Sequence, residues 1–210
     1  MPIIALTFDD GPNTVITPQV LDILENEGIV ASFFLIAQNI TPESAAVARR
    51  AYDMGCDIEN HTLTHPFMNN MTAEEIRNEV QPCTEKIIEI TGEPPKFFRP
   101  PFIAVNQTLY DNVDLTFICG MGCEDWVPDV SAEERAKRVL ANAADGQIVL
   151  LHDMQWNQNT VDALKTIIPE LKKRGYEFVT VSQLFEKKNV IPQRGWLYSN
   201  ALQTVSDNRL

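Results

Sequence analysis

Asp9 and Asp10 stand side by side where the apolar run "IIALTF" meets the turn-forming "DGPN", at the C-terminal end of a short, mostly buried strand. Adjacent like charges repel. A solvated turn in which Asp10 starts a tight bend accommodates them, and so does a bound cation. His61 and His65, in "NHTLTH", are four residues apart, so two imidazoles can face one direction across a helical turn or a tight loop, although such a pair is also ordinary surface. One carboxylate of the aspartate pair added to them makes a set of two His and one Asp with open coordination positions, which suits catalytic zinc or a similar divalent ion. One aspartate then binds the ion and the other takes a proton from a water whose pKa the ion lowers toward about 7. Arg99, in "FFRPPF", either anchors a turn or holds an aspartate base ionised and oriented. His152, in "IVLLHD", is either a satisfied core histidine or, beside a carboxylate, a general acid. Asp125 and Trp126 lie in "CEDW"; Trp126 and Leu150 are core residues by default and pocket walls if the site is near.

The elements that must position these residues follow from hydrophobic period. Strand-like apolar runs near 3–8, 31–36, 56–59, 96–99, 115–119, 147–152 and 177–181 alternate with helical patterns near 17–27, 43–54, 73–91, 106–112, 131–143, 158–174 and 182–188. Helix starts are signalled by Thr17-Pro18, Thr41-Pro42 and a capping box from Ser131 to Glu134. Regular alternation implies parallel pairing with helices outside. About seven β/α units predict an α/β fold, a small or incomplete β/α barrel, with a doubly wound open sheet as the rival. In both, ligands bind at the C-terminal strand ends. All three histidines of the chain fall at such ends. From about 190 onward no period is visible, and 190–210 reads as a tail packed loosely on the domain.

A chain of 210 residues, 44% of them hydrophobic, is long enough for one well-buried core, so a single domain over 1–210 is expected. Its net charge of −12 disfavours nucleic acid or an anionic membrane as partner. The longest apolar runs are too short to span a bilayer, and "MPIIALTF" has neither a basic leader region nor a cleavage pattern. That leaves a cytosolic protein or a module cut from a longer secreted chain. Cys56, Cys83, Cys119 and Cys123 are too few and too scattered for a disulfide scaffold and read as mostly free.

Taken together, "TFDDGP", "HTLTH", "RPPF", "EDW" and "IVLLHD" resemble, in order from position 7 to 153, the five motifs of the polysaccharide deacetylase family, the NodB-homology carbohydrate esterases of family 4. The resemblance implies Asp9 as general base, Asp10, His61 and His65 as ligands of one divalent ion, Zn2+ or Co2+, Arg99 as partner of the base, and His152 as general acid tuned by Asp125. It implies that the Phe102 N–H helps hold the oxyanion and that Trp126 and Leu150 enclose the acetyl methyl. Gly122, where Asp commonly opens the fourth motif, and Ile103, where Gly is frequent, depart from the pattern.

The activity so implied is metal-dependent hydrolysis of acetyl groups on a polysaccharide. The likeness runs to acetylxylan esterase modules of larger, multidomain secreted enzymes, hence an O-acetylated xylan substrate and an extracellular location; N-deacetylation of chitin or peptidoglycan is the alternative. No Gly-x-Ser-x-Gly elbow occurs, so a serine nucleophile has no support. Two His and one carboxylate also suit a non-haem iron oxygenase, whose usual carriers are double-sheet β folds rather than this helix-rich alternation. A binding module without catalysis would need no base and acid pair.

Overall fold

The computed structural model describes residues 1–204. Nine strands and seven helices are found among them. The strands are β1 (Ile3–Asp9), β2 (Ser32–Leu35), β3 (Asp57–Asn60), β4 (Phe97–Phe98), β5 (Thr116–Ile118), β6 (Met121–Gly122), β7 (Gln147–His152), β8 (Glu177–Phe178) and β9 (Leu197–Tyr198). The helices are α1 (Ile16–Glu27), α2 (Pro42–Asp53), α3 (Ala73–Thr91), α4 (Gln107–Asn112), α5 (Ala132–Asn142), α6 (Gln158–Lys173) and α7 (Val181–Lys187).

The strands pair in parallel, in the order β6-β7-β1-β2-β3-β4-β5-β9, with β8 on the start of β1. The chain leaves β5 at Ile118 and enters β6 at Met121. Three residues reach about 11 Å at most, so the sheet must curl until its two ends nearly meet. This makes the fold an incomplete barrel and removes the open-sheet alternative. Two short strands fill the seam at different heights. β6 pairs with β7 through Met121 and Val149, and β9 pairs with β5 through Phe117 and Leu197, while the next segment bridges Asn200 to Gln147 at the start of β7.

Period two along each strand separates two cores. Ile4, Leu6 and Phe8 of β1 and Val149 and Leu151 of β7 face outward under α1, α5 and α6. Ile3 and Ala5 of β1, Phe34, Phe97 and Ile148 face the barrel interior. Continuing the inward alternation toward the C-terminal ends brings Asp9 on β1, Leu150 and His152 on β7, Arg99 just past β4 and His61 just past β3 to the barrel mouth. Asn60, of opposite parity to His61, turns outward, and its amide donates to the Val80 carbonyl of α3 at 2.9 Å.

Three sequence expectations are corrected. Helix α1 starts at Ile16, without a side-chain cap from its Val15 N-cap, because the Asn13 side-chain Oδ1 accepts from the Val15 and Ile16 N–H groups at 3.0 and 2.7 Å; Thr17 points to Asp153 instead. Ser131 caps α5 by accepting from the Glu134 N–H, but the reciprocal half of the box is lost because the Glu134 carboxylate pairs with Arg138 at 2.9 Å. The segment after 190 is no loose tail: Tyr198 is 2% exposed and packs on Phe185 in the barrel interior, while 205–210 lies outside the described residues. Thr41 does cap α2, in a capping box with Ser44. All four cysteines are free.

Candidate active site

The barrel mouth holds a cavity of about 380 Å³ whose walls include Asp9, Asp10, His61, His65, Phe102, Trp126, Leu150 and His152. Arg99 and Asp125 lie behind this wall, both 0% exposed. Every residue expected from the sequence is therefore in or directly behind one cavity. Pro100 and Ile103 complete it; Ile103 is the departure from the motif pattern noted above, and Pro100, being apolar, carries no chemical signal.

The two aspartates diverge because Asp9 ends β1 while Asp10 takes a left-handed backbone conformation, φ +71°, and so turns to a different side. Asp9, 2% exposed, accepts from Arg99 Nη1 at 2.5 Å. The guanidinium carbon of Arg99 sits 4.1 Å from the centre of the Phe34 ring, so the cation is held by one carboxylate and an aromatic face.

Asp10 Oδ1 lies 3.5 Å from His61 Nε2 and 3.7 Å from His65 Nε2. One ligand atom from each residue falls within 4.8 Å of the others. Asp10 Oδ1 is buried and has no hydrogen-bond partner, which is the condition of a ligand atom kept for a cation. His61 Nδ1 is 2.6 Å from the Arg99 carbonyl; a carbonyl only accepts, so Nδ1 carries the proton and the Nε2 lone pair faces Asp10. His65 is held below the ordinary imidazole pKa by burial and by the neighbouring His61, which favours the neutral, ligating form. Burial alone would raise Asp10, but the imidazole of His61, with those of His152 and His65, holds it below the usual carboxylate value. These three residues fit a divalent ion.

On the far wall, Asp125 is fully buried and binds His152 twice, accepting from its backbone N–H at 2.7 Å and lying 2.8 Å from Nδ1. Thr160 donates to the same carboxylate at 2.9 Å, and the buried Arg135 donates to the Thr160 hydroxyl at 2.9 Å and to Asn157. No sequence pattern signals this support, since an arginine in the helical pattern of α5 looks like solvated surface. Burial pushes His152 down, but the hydrogen bond and charge of Asp125, followed by the charges of Asp9 and Asp10, outweigh it and raise the imidazole to about 9.

Phe102, at φ +58°, is 65% exposed; its N–H makes no hydrogen bond among the described residues. Its ring meets His65 edge-on with centroids 4.8 Å apart. Trp126, 45% exposed, stands 5.6 Å from the His152 ring. The two departures from the motif pattern each have a local consequence. Gly122 makes room for Trp126, whose ring would lie 3.3 Å from a Cβ there. Ile103 keeps φ +54°, a conformation that strains a β-branched residue by about 1–2 kcal/mol.

Gly11 is required by close approach. A Cβ on it would lie 2.7 and 2.8 Å from the two carboxylate oxygens of Asp153, which is fully buried and cannot swing away. Gly11→Ala is expected to lower stability by about 1–3 kcal/mol, read as a lower Tm, because the loop carrying Asp10 must shift.

A family model described as Polysaccharide deacetylase matches residues 1–117. A bifunctional xylanase/deacetylase of Pseudobutyrivibrio xylanivorans is 50% identical over 190 residues, covering 90% of this chain and 31% of that protein. A peptidoglycan-N-acetylglucosamine deacetylase of Listeria monocytogenes is 35% identical, covering 88% of this chain and 39% of that one. The chain thus spans about a third of the length of these curated relatives. Among solved structures, a family 4 acetyl xylan esterase from Clostridium thermocellum, in complex with a cobalt ion, superposes with a TM-score of 0.93 at 41% identity, covering 96% of this chain and 100% of that one.

Proposed function

This chain belongs to the polysaccharide deacetylase family of hydrolytic enzymes, and from that premise we propose that it removes O-acetyl groups from xylan. The observation that carries the chemistry is the division of labour between adjacent aspartates: Asp10 faces two imidazoles while Asp9 faces a buried arginine. A divalent ion held by Asp10, His61 and His65 supplies Lewis-acid polarisation of the acetyl carbonyl and a water of lowered pKa. The Asp9 carboxylate, oriented by Arg99, takes the proton from the attacking water. The Phe102 N–H donates to the carbonyl oxygen as negative charge develops on it. His152 gives its proton to the departing sugar oxygen, so that ester and water become acetic acid and alcohol, the acid then losing its proton to solvent as acetate. Trp126 and Leu150 wall the space for the acetyl methyl.

We take the ion to be Zn2+ or Co2+, since two nitrogens and one carboxylate oxygen suit borderline cations. We read residues 1–210 as one catalytic module of a larger secreted enzyme; what supports this is the short span the chain occupies in a two-activity relative. Among the described residues, no helix is long and apolar enough to cross a membrane.

Xylan is preferred over an N-acetylglucosamine polymer because the xylanase/deacetylase relative is 50% identical, against 35% for the peptidoglycan deacetylase. Side-by-side acetate release from acetylated xylan and from N-acetylated chitooligosaccharides tests the choice. Faster release from xylan is expected; release confined to the chitooligosaccharides would replace this reading with N-deacetylation.

The acid assignment predicts a pH profile. A general acid must keep its proton, so activity should persist through neutral pH and fall as pH rises through about 9, a ceiling that a cation at Asp10 lowers by offsetting that carboxylate's charge. The same raised pKa makes the His152–Asp125 pair stabilising below the free-imidazole value of 6.5 and progressively less so up to about 9. In Asp125→Asn the hydrogen-bonded charge that does most to raise His152 is gone while burial still lowers it, so the alkaline limb of kcat/KM should move to lower pH. An unmoved limb would assign it to another group.

A further inference from the structure

The reaction cavity does not end at Asp10 and His65. Those two residues also wall a second cavity, of about 520 Å³, which shares no other lining residue with the first. Its volume lies within the roughly 300–1,000 Å³ that houses small-molecule ligands. Three loops surround it, those following β1, β2 and β7, and they contribute Thr14, Gln38 and Gln155 respectively.

These three polar side chains are uncommitted. The neighbouring amides have structural work: Asn39 donates to the Asp10 carbonyl at 2.9 Å, and Asn13 donates to the Asp153 carbonyl while capping α1. The amides of Gln38 and Gln155 and the Thr14 hydroxyl are exposed and make no hydrogen bond among the described residues. Both glutamine amides can donate and accept, which is what a ring of hydroxyl groups requires. Asp10 and His65 aside, the lining carries no ionisable side chain. It offers no lysine or arginine to a uronate or phosphate, and no free carboxylate to an ammonium.

We propose that this second cavity is a sugar subsite, holding a neutral pyranose adjacent in the chain to the unit whose acetyl group is cut. The inference rests on the polysaccharide reading above and adds where the chain runs and what it must be made of: past Asp10 and His65, as uncharged polyhydroxylated units. Neutral backbone sugars fit this lining, and a charged sugar at that position does not.

The test compares kcat/KM on acetylated xylotriose with that on 4-nitrophenyl acetate, which brings no second sugar. A Gln38→Ala/Gln155→Ala variant removes the hydrogen bonds, and Thr14→Trp fills the space. Loss of one or two hydrogen bonds should lower the ratio of the two kcat/KM values about tenfold in the double variant, through KM on the oligosaccharide, with Thr14→Trp at least as severe. The unaltered enzyme should prefer acetylated xylotriose to acetylated xylose by a similar factor. A ratio constant within about twofold in both variants, or indifference to chain length in the unaltered enzyme, would overturn the subsite. Failure of the xylan reading looks different: acetylated xylotriose is then no substrate, and the selective loss is sought on tri-N-acetylchitotriose, where its absence again overturns the subsite.

Discussion

Asp9→Asn is expected to cut kcat by about 10²–10⁴-fold while the purified variant still holds its metal, because the change removes a proton acceptor without altering shape. Asp9 is 2% exposed and its carboxylate sits on the wall of the reaction cavity, beside the residues that would hold the ion. The substitution also leaves the buried Arg99 facing a neutral amide. Breaking a buried pair from one side typically costs about 3–5 kcal/mol, so a lower Tm should accompany the kinetic loss. The two effects separate by titration: metal content measured on the purified variant should remain at one ion per chain, as expected for three ligands that do not include Asp9. A variant that turns over at the unaltered rate would remove Asp9 from the base role. One that loses its metal would move Asp9 into the ligand set.

The second large effect is that of the ion. Removing it with a chelator should abolish acetate release by about a hundredfold or more, and adding back Zn2+ or Co2+ should restore it. A stability readout accompanies this. Without a cation, Asp10 Oδ1 is a buried acceptor with no partner, beside a second buried carboxylate. An ion that binds only the folded chain stabilises it by about 2.7 kcal/mol at a hundredfold excess over its Kd, so Tm should rise with metal concentration. His61→Ala and His65→Ala should each weaken that rise. The His61 change should weaken it more, because the Arg99 carbonyl fixes this ring with its Nε2 lone pair toward Asp10, whereas His65 is steadied by an edge contact with the exposed Phe102. Activity undiminished after complete metal removal would overturn the mechanism, whatever the substrate.

The residue pairings at the site show how one fold backs a base and an acid with opposite charges. Asp9 has a guanidinium behind it, and His152 has Asp125 behind it. Each reacting group is backed by a buried opposite charge supplied from another strand end or loop. The second backing is itself braced by Thr160 and by Arg135, which is 0% exposed and also donates to the Val127 and Val130 carbonyls. Thr160→Val is a test of that bracing, since it deletes the hydrogen bond to Asp125 while preserving volume.

Much of this protein was determined by the sequence alone. Alternation of apolar runs with helical periods dictates parallel pairing with helices outside, and apolar strands that end in Asp, His and Arg put the chemistry at one end of the sheet, since polar groups so placed are tolerated only where the barrel opens. Spacing within "HTLTH" and adjacency within "DD" limited the ligand choices. What they could not decide was direction. Only the left-handed turn at Asp10 makes two neighbouring aspartates serve different partners, and an aspartate tolerates such a backbone angle without requiring it, so residue type does not decide it. The incomplete barrel was expected, but the strands that fill its seam were hidden: β6 and β9 are two residues each, too short for any period, and they pair because the curled sheet presents them with open edges. Arg135, Thr160 and the second cavity wall of Thr14, Gln38 and Gln155 come from elements far apart in the chain. Their roles arise from packing between helices and loops, where burial and approach are set by the whole fold and not by the residues on either side.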